Sequence, residues 1–311
     1  MTPTSSLIGA FGKLPSTGDF VAHNAALPVT RAFVEWLERE VDGLAARGGQ
    51  QPDATVRFLY RDPTGSGACL GALLRSRDAV GRKFPFSIFT YIDPRLASQA
   101  FPALPAAYAP FIDGAVALLH NLEQQPPHAV IERALSLPLP TAAELEDARA
   151  WTVEALEHTA GRTLLEALFG PVENGVCFHG FNMFLTACGQ VQAADPGSAS
   201  IILECPASDD VQLTFWLRLC QARLRWEHAP PGLFWSGSDS SDSRLLITLG
   251  APTSGLLGFL AEPGAVAERL WPMRTTSASS IAAGRQALSP SQIAVLDPPA
   301  PTAAAVLAAL Y

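Results

Sequence analysis

The hydrophobic pattern of this chain switches repeatedly between the strand and helix periods, and each switch marks an element. Leu7 to Phe11 is a short apolar run that reads as a strand. It stops at a turn holding Gly12, Pro15 and Gly18, with Lys13 and Asp19 set into it. Glycines and a proline so close together fix unusual backbone angles, so this turn has a defined shape. From Pro28 to Arg47 the period becomes helical. Phe33, Trp36, Leu37, Val41 and Leu44 fall on one side and Glu35, Glu38, Arg39 and Asp42 on the other, with Gly48-Gly49 as the stop. Trp36 lies on the apolar stripe, which makes it a core anchor.

Strand-like runs follow at Val56–Tyr60, Ala68–Leu74 and Phe84–Ile92. The link between the last two, Arg75 to Lys83, is charged and contains Gly81, as a hairpin loop would. It gathers Arg75, Arg77, Arg82 and Lys83. Those cations read either as a solvated loop tip or as a lock in which Arg82 pairs with Asp19. From Phe101 to about Gly170 the signal is helical, with Ala107–Leu122 on a helical period and Thr141-Ala-Ala-Glu144 as a capping box. A further helix runs from Arg162 to Phe169, and the Pro-rich stretch Leu135–Pro140 is the expected internal seam.

In the second half, Val176–Leu185 fits a strand or a helix equally, and Ser200–Cys205 reads as a buried strand. Ser208 is the expected cap of a helix that is apolar nearly all round from Val211 to Cys220. Strands at Gly232–Ser236 and Arg244–Leu249 flank a Ser/Asp loop, and beyond Pro272 the Ala/Ser/Thr/Pro-rich composition predicts a loosely held tail. Strands interleaved with helices along the whole length predict an α/β layered sandwich.

Composition narrows the function classes. Of 311 residues 48% are hydrophobic and only 16% charged, which argues for extensive burial. A formal charge of −8 with no basic run disfavours a nucleic-acid partner. The five cysteines form no Cys-x-x-Cys pair and sit mostly in apolar runs, as buried thiols of a reducing compartment do. No signal-peptide pattern opens the chain and no run is long enough to insert in a membrane, so the expectation is a soluble cytoplasmic protein.

No coherent catalytic set emerges. Gly9 and Gly12 are too close for a P-loop, and Leu14 follows Lys13 where a hydroxyl residue should hold magnesium. Cys177 and His179 would share a face of a strand, but no further metal ligand or catalytic partner accompanies them. Asp239 and Asp242 lack the spacing of a calcium loop, and Gly65–Gly71 misses the dinucleotide spacing by one residue. No cofactor is expected.

Gly12-Lys-Leu-Pro-Ser-Thr-Gly-Asp-Phe20 resembles the N-terminal signature of the TagF family, accessory proteins of bacterial type VI secretion. A second stretch, Asp78-Ala-Val-Gly-Arg-Lys-Phe-Pro-Phe86, is similar to that family's Val-Gly-Arg-basic-Phe-Pro hallmark. The Phe33–Trp36–Leu37 helix falls between them, where the family has its Trp-bearing helix. Thr17 and Phe86 depart from the usual residues without disturbing the pattern. Leu233-Phe-Trp235 and Leu249-Gly-Ala-Pro252 add a fainter likeness, with Trp235 either an exposed contact or core.

The resemblance implies a three-layer αβα sandwich with a mixed sheet. It implies an N-terminal domain over 1–135, while the Pro-rich seam and the composition beyond it predict a second α/β half over 141–275 packed against it and the tail over 276–311. By the same resemblance the protein would be a non-enzymatic post-translational repressor of type VI secretion, with a forkhead-associated scaffold protein as its partner. The motif residues expected to build structure or bind that partner are Gly12, Lys13, Leu14, Pro15, Gly18, Asp19, Phe20, Trp36, Gly81, Arg82, Lys83, Phe84 and Pro85. Lys13, Pro15, Gly18 and Asp19 are expected to hold the first strand against the 29–44 helix. The competing expectation is a small-molecule or nucleotide-binding α/β domain that uses the Gly12–Gly18 loop. Thermal melts with and without ATP, GTP and Mg²⁺ separate the two: a regulator shows no shift, whereas a rise of several degrees would favour nucleotide binding.

Overall fold

Most strands of this protein are apolar on successive residues rather than alternate ones, the pattern of a sheet covered on both faces. The computed structural model describes residues 7–62, 67–193, 200–224, 231–236, 244–250, 255–262 and 267–311. The first half contains β1 (Ile8–Lys13), β2 (Phe20–His23), α1 (Pro28–Ala46), β3 (Val56–Arg61), β4 (Ala68–Leu74) and β5 (Phe86–Ile92). Five helices follow: α2 (Pro94–Ala100), α3 (Leu104–Ala107), α4 (Ala109–Leu119), α5 (Pro127–Leu135) and α6 (Ala142–His158). Then come α7 (Gly161–Phe169), α8 (Val176–Ala193), β6 (Ser200–Pro206), α9 (Asp210–Arg223), β7 (Gly232–Ser236) and β8 (Arg244–Gly250). The chain closes with α10 (Leu256–Ala261), β9 (Leu270–Pro272), α11 (Ala278–Ala287), α12 (Pro290–Leu296) and α13 (Ala303–Ala309).

The strands form one nine-stranded sheet in the order β2-β1-β5-β4-β3-β7-β8-β6-β9. Every pairing is antiparallel except β6 with β9, so the sheet is mixed. β3 and β7 pair from Val56↔Ser236 to Leu59↔Leu233, so the N-terminal and C-terminal strands continue one sheet rather than stacking as two.

Alternation along the strands divides the core between two layers. Leu59, Leu70, Ile88 and Ile247 face one side, against α2, α4, α5, α7–α9 and α13. Phe58, Cys69, Phe89 and Leu246 face the other, against α1 and α10. The architecture is therefore the three-layer αβα sandwich. Under α1, Phe33 stacks on Phe58 at 4.7 Å, and Trp36 lies 5.1 Å from Phe234. Trp36 is 3% exposed and is the core anchor its stripe position predicted. The buried Glu40 carboxylate accepts from Gly255 N and Leu257 N at 2.7 and 3.0 Å, clipping the start of α10 to α1. Burial raises its pKa above the ordinary value, and those backbone donors oppose the rise.

Three local expectations change. Val176–Leu185 lies within α8, so Cys177 and His179 stand about 200° apart rather than on a shared face. The cap of α9 is Asp209, which accepts from Gln212 N, while Ser208 donates to the Gln212 side chain. The tail is not loose: Ser277, Ser289 and Thr302 each cap a helix, and Leu296, Val306, Leu307 and Leu310 are buried. Its composition resembles a linker, but alanine is the best helix former, and sparse Val and Leu suffice to seat three short helices. At Gly284 a Cβ would lie 2.7 Å from Phe178 O, which shows how closely α11 approaches α8.

Burial of those four apolar side chains stabilises the fold by about 6–12 kcal/mol, comparable with the ~5–15 kcal/mol of a whole domain. Deleting 277–311 should therefore abolish the cooperative thermal transition. A loose tail would leave the melt unchanged.

Candidate functional site

The two sequence motifs meet in space. β1 ends at Lys13 with Leu14 fully buried behind it, and the next loop turns through a Thr17 N to Leu14 O bond of 3.2 Å. Gly12 is required here: its φ is +141°, and a Cβ would lie 2.1 Å from Pro85 O, where β1 crosses the start of β5. The β4–β5 connection reaches the same place from the other side, and Ala79 N donates to Thr17 O at 2.9 Å.

Asp78 joins them. Its Oδ2 accepts from Lys13 Nζ at 2.8 Å and from Arg82 Nε at 2.6 Å. Its Oδ1 accepts from Val80 N at 3.0 Å and Arg82 N at 2.8 Å. Gly81, at φ +94°, supplies the left-handed turn that folds Arg82 back onto Asp78. The Asp78 side chain is fully shielded from solvent and that of Lys13 nearly so, so each charge depends on the other. The Lys13 hydrogen bond, opposed by desolvation and helped by Arg82, holds the Asp78 pKa well below the ordinary carboxylate value.

Arg82 also donates through Nη2 to the Gly18 carbonyl. It joins the two loops through Asp78 and Gly18 O rather than through Asp19, which forms no ion pair among the described residues. Carbonyl and carboxylate together satisfy the guanidinium without Asp19. Lys13 is likewise bound to the β4–β5 connection rather than to α1, and its ammonium is engaged by Asp78 instead of facing an open phosphate cradle.

An aromatic trio stands beside this clamp. Phe20 stacks on Phe11 at 5.4 Å and meets the edge of Phe84 at 4.9 Å, and Lys13 Nζ lies 5.0 Å from the Phe20 ring centre. Phe84 and Phe11 are buried, but Phe20 is 47% exposed and Val80, at the hairpin tip, 76% exposed. The Gly18 backbone lies beneath Val80, since a Cβ there would be 3.9 Å from Val80 Cγ2. The clamp thus presents two apolar side chains on a braced platform.

Asp78 lies inside the second motif but outside the expected site residues. Its signal was a buried-strand lysine in need of a carboxylate and an Asp-x-x-Gly turn that could supply one. Pro15 and Lys83 line a neighbouring cleft, and Trp36 is buried in the core layer between α1 and the sheet, a layer that also includes Phe84. Trp235 is half-buried on β7 and packs against the core. The Asp239–Asp242 loop, His228, Gly65 and Ala251-Pro252 lie outside the described residues.

Elsewhere, no group of three or more His, Cys, Asp or Glu among the described residues could hold a metal ion. All five cysteines are buried and unpaired, and burial pushes the Cys177 thiol up to about 11. His179 donates from Nε2 to Pro272 O at 3.3 Å, and burial lowers its pKa. No single described helix is long and apolar enough to cross a membrane.

The loop pair forms a braced surface at one edge of the N-terminal strands. Residues 9–137 match the family model of the TagF N-terminal domain, type VI secretion system-associated. That stretch therefore carries the TagF N-terminal domain, and the description of type VI secretion association belongs to the model it matches. Among solved structures, the crystal structure of PA0076 from Pseudomonas aeruginosa PAO1 aligns at a TM-score of 0.49 and 15% identity, covering 86% of this chain and 99% of that one. No curated protein matches the chain significantly.

The depressed Asp78 pKa has a defined sign. Its contribution to stability is complete above the unfolded carboxylate value of about 3.9 and is lost as pH falls toward the lower folded value. Asp78→Asn should therefore melt below wild type at pH 7, with the gap narrowing from about pH 4 downward. Melting curves across pH 2–8 check this; a gap that does not change with pH would remove the ionic role of Asp78.

Proposed function

We propose that this protein is a non-enzymatic, cytoplasmic regulator that restrains type VI secretion after translation by binding another protein of the system. The observation that carries the reading is the clamp. Lys13, Asp78 and Arg82 are spent on holding two loops together, and what the loops display is apolar contact area rather than reactive groups. Exposed aromatic and aliphatic side chains on a rigid base are the form of an interaction hot spot, because little conformational freedom is lost on binding. A forkhead-associated scaffold protein of the secretion system is the proposed partner.

Val80→Glu and Phe20→Ser test the surface, the first without touching the clamp. Used as bait in a lysate of the source bacterium, wild type should recover the forkhead-associated scaffold, and each variant should recover at least about tenfold less, as loss of a central contact predicts. The Val80→Glu variant should keep the wild-type melting temperature. Equal recovery by both variants would move the interface elsewhere, and recovery of no secretion component by wild type would defeat the regulator reading itself.

A further inference from the structure

Beyond the end of β4 a cleft of about 560 Å³ opens between the last turns of α1 and α4, which cover opposite faces of the sheet. That volume falls within the range of about 300–1,000 Å³ that small-molecule sites occupy. Its walls divide by chemistry. Val41 and Leu44 from α1 and Leu119 and Leu122 at the end of α4 line it with hydrocarbon. Arg75, Arg77 and Lys83 line it with cations, against the single carboxylate of Glu123.

The cations are placed by the backbone. Arg77 and Lys83 are partners in an isolated antiparallel bridge, and directly opposed residues project to the same face. Arg75 is engaged by Asp53, but Arg77 and Lys83 make no ion pair among the described residues. In a chain of net charge −8, two free cations beside an apolar wall run against the overall electrostatic balance. Gln51 on the same wall holds a buried side-chain oxygen that accepts no hydrogen bond.

We propose that this cleft binds a small amphipathic anion, its carboxylate, phosphate or sulfonate head on Arg77 and Lys83 and its apolar body against Val41, Leu44, Leu119 and Leu122. A hydroxyl or amide N–H on the ligand would complement Gln51. The site does not depend on the Phe20–Val80 surface, and it holds whether or not that surface docks a protein. The head group alone is insufficient, because the two cations are solvent-exposed and a simple ion there is screened by salt.

Fluorescence titration of the full chain with 1-anilinonaphthalene-8-sulfonate reads the site directly, with dodecanoate and inorganic phosphate as competitors. One saturable site displaced by dodecanoate, but not by equal phosphate, is the expected result. Arg77→Gln combined with Lys83→Gln should weaken binding at least about tenfold through lost charge-assisted contacts. Ala45→Trp, at an exposed helical position on the cleft wall, should weaken it similarly by filling the cavity while both charges remain. Both variants should melt as wild type does. Unchanged affinity in both, absence of a saturable site, or equal displacement by phosphate would each overturn the proposal.

Discussion

A carboxylate with four donors on it, two backbone amides and two cations, holds the N-terminal part of this molecule in shape. Asp78 lets a lysine sit at the buried end of a strand, because an ammonium withdrawn from water requires a charge beside it and hydrogen bonds to complete the shell. The same oxygens turn the β4–β5 connection back on itself and aim Arg82 at the carbonyl of Gly18. Two segments separated by 65 residues in sequence thereby become one surface element. The positions of Phe20 and Val80 follow from it, since both ride on backbone that this clamp fixes.

The frame behind the clamp is a single sheet shared by both parts of the chain. β3 and β7 join the N-terminal and C-terminal strands, and helices cover both faces, so the potentially reactive thiols are enclosed. Desolvation disfavours the thiolate, which is the form that reacts or binds metal. The chemistry left at the surface is contact area around Phe20 and Val80 and charge around the cleft lined by Arg77 and Lys83. The β4–β5 connection contributes to both features, with Val80 at its tip and Arg77 and Lys83 at its base.

Much of this was legible locally. Helix α1 announces itself by its apolar stripe and its glycine stop, and α6 by its Thr141–Glu144 capping box, because these signals depend on neighbours within a few residues. The paired strands β4 and β5 were readable for the same reason. The tail was misread because composition reports average polarity, whereas helix formation there rests on alanine propensity, three well-spaced caps and a few buried side chains. Val176–Leu185 was undecidable because a continuous apolar run has no period to read.

By itself the sequence determined the layered α/β class, most element positions and the two motifs, all of which are encoded over short spans. Tertiary structure alone decided that Arg82 takes Asp78 and Gly18 O in place of Asp19, that Lys13 closes the clamp, and that Cys177 and His179 diverge. It also set the strand order that joins β3 to β7. Charge pairing across tens of residues depends on which side chains the fold brings within about 3 Å of each other, and no local propensity carries that information.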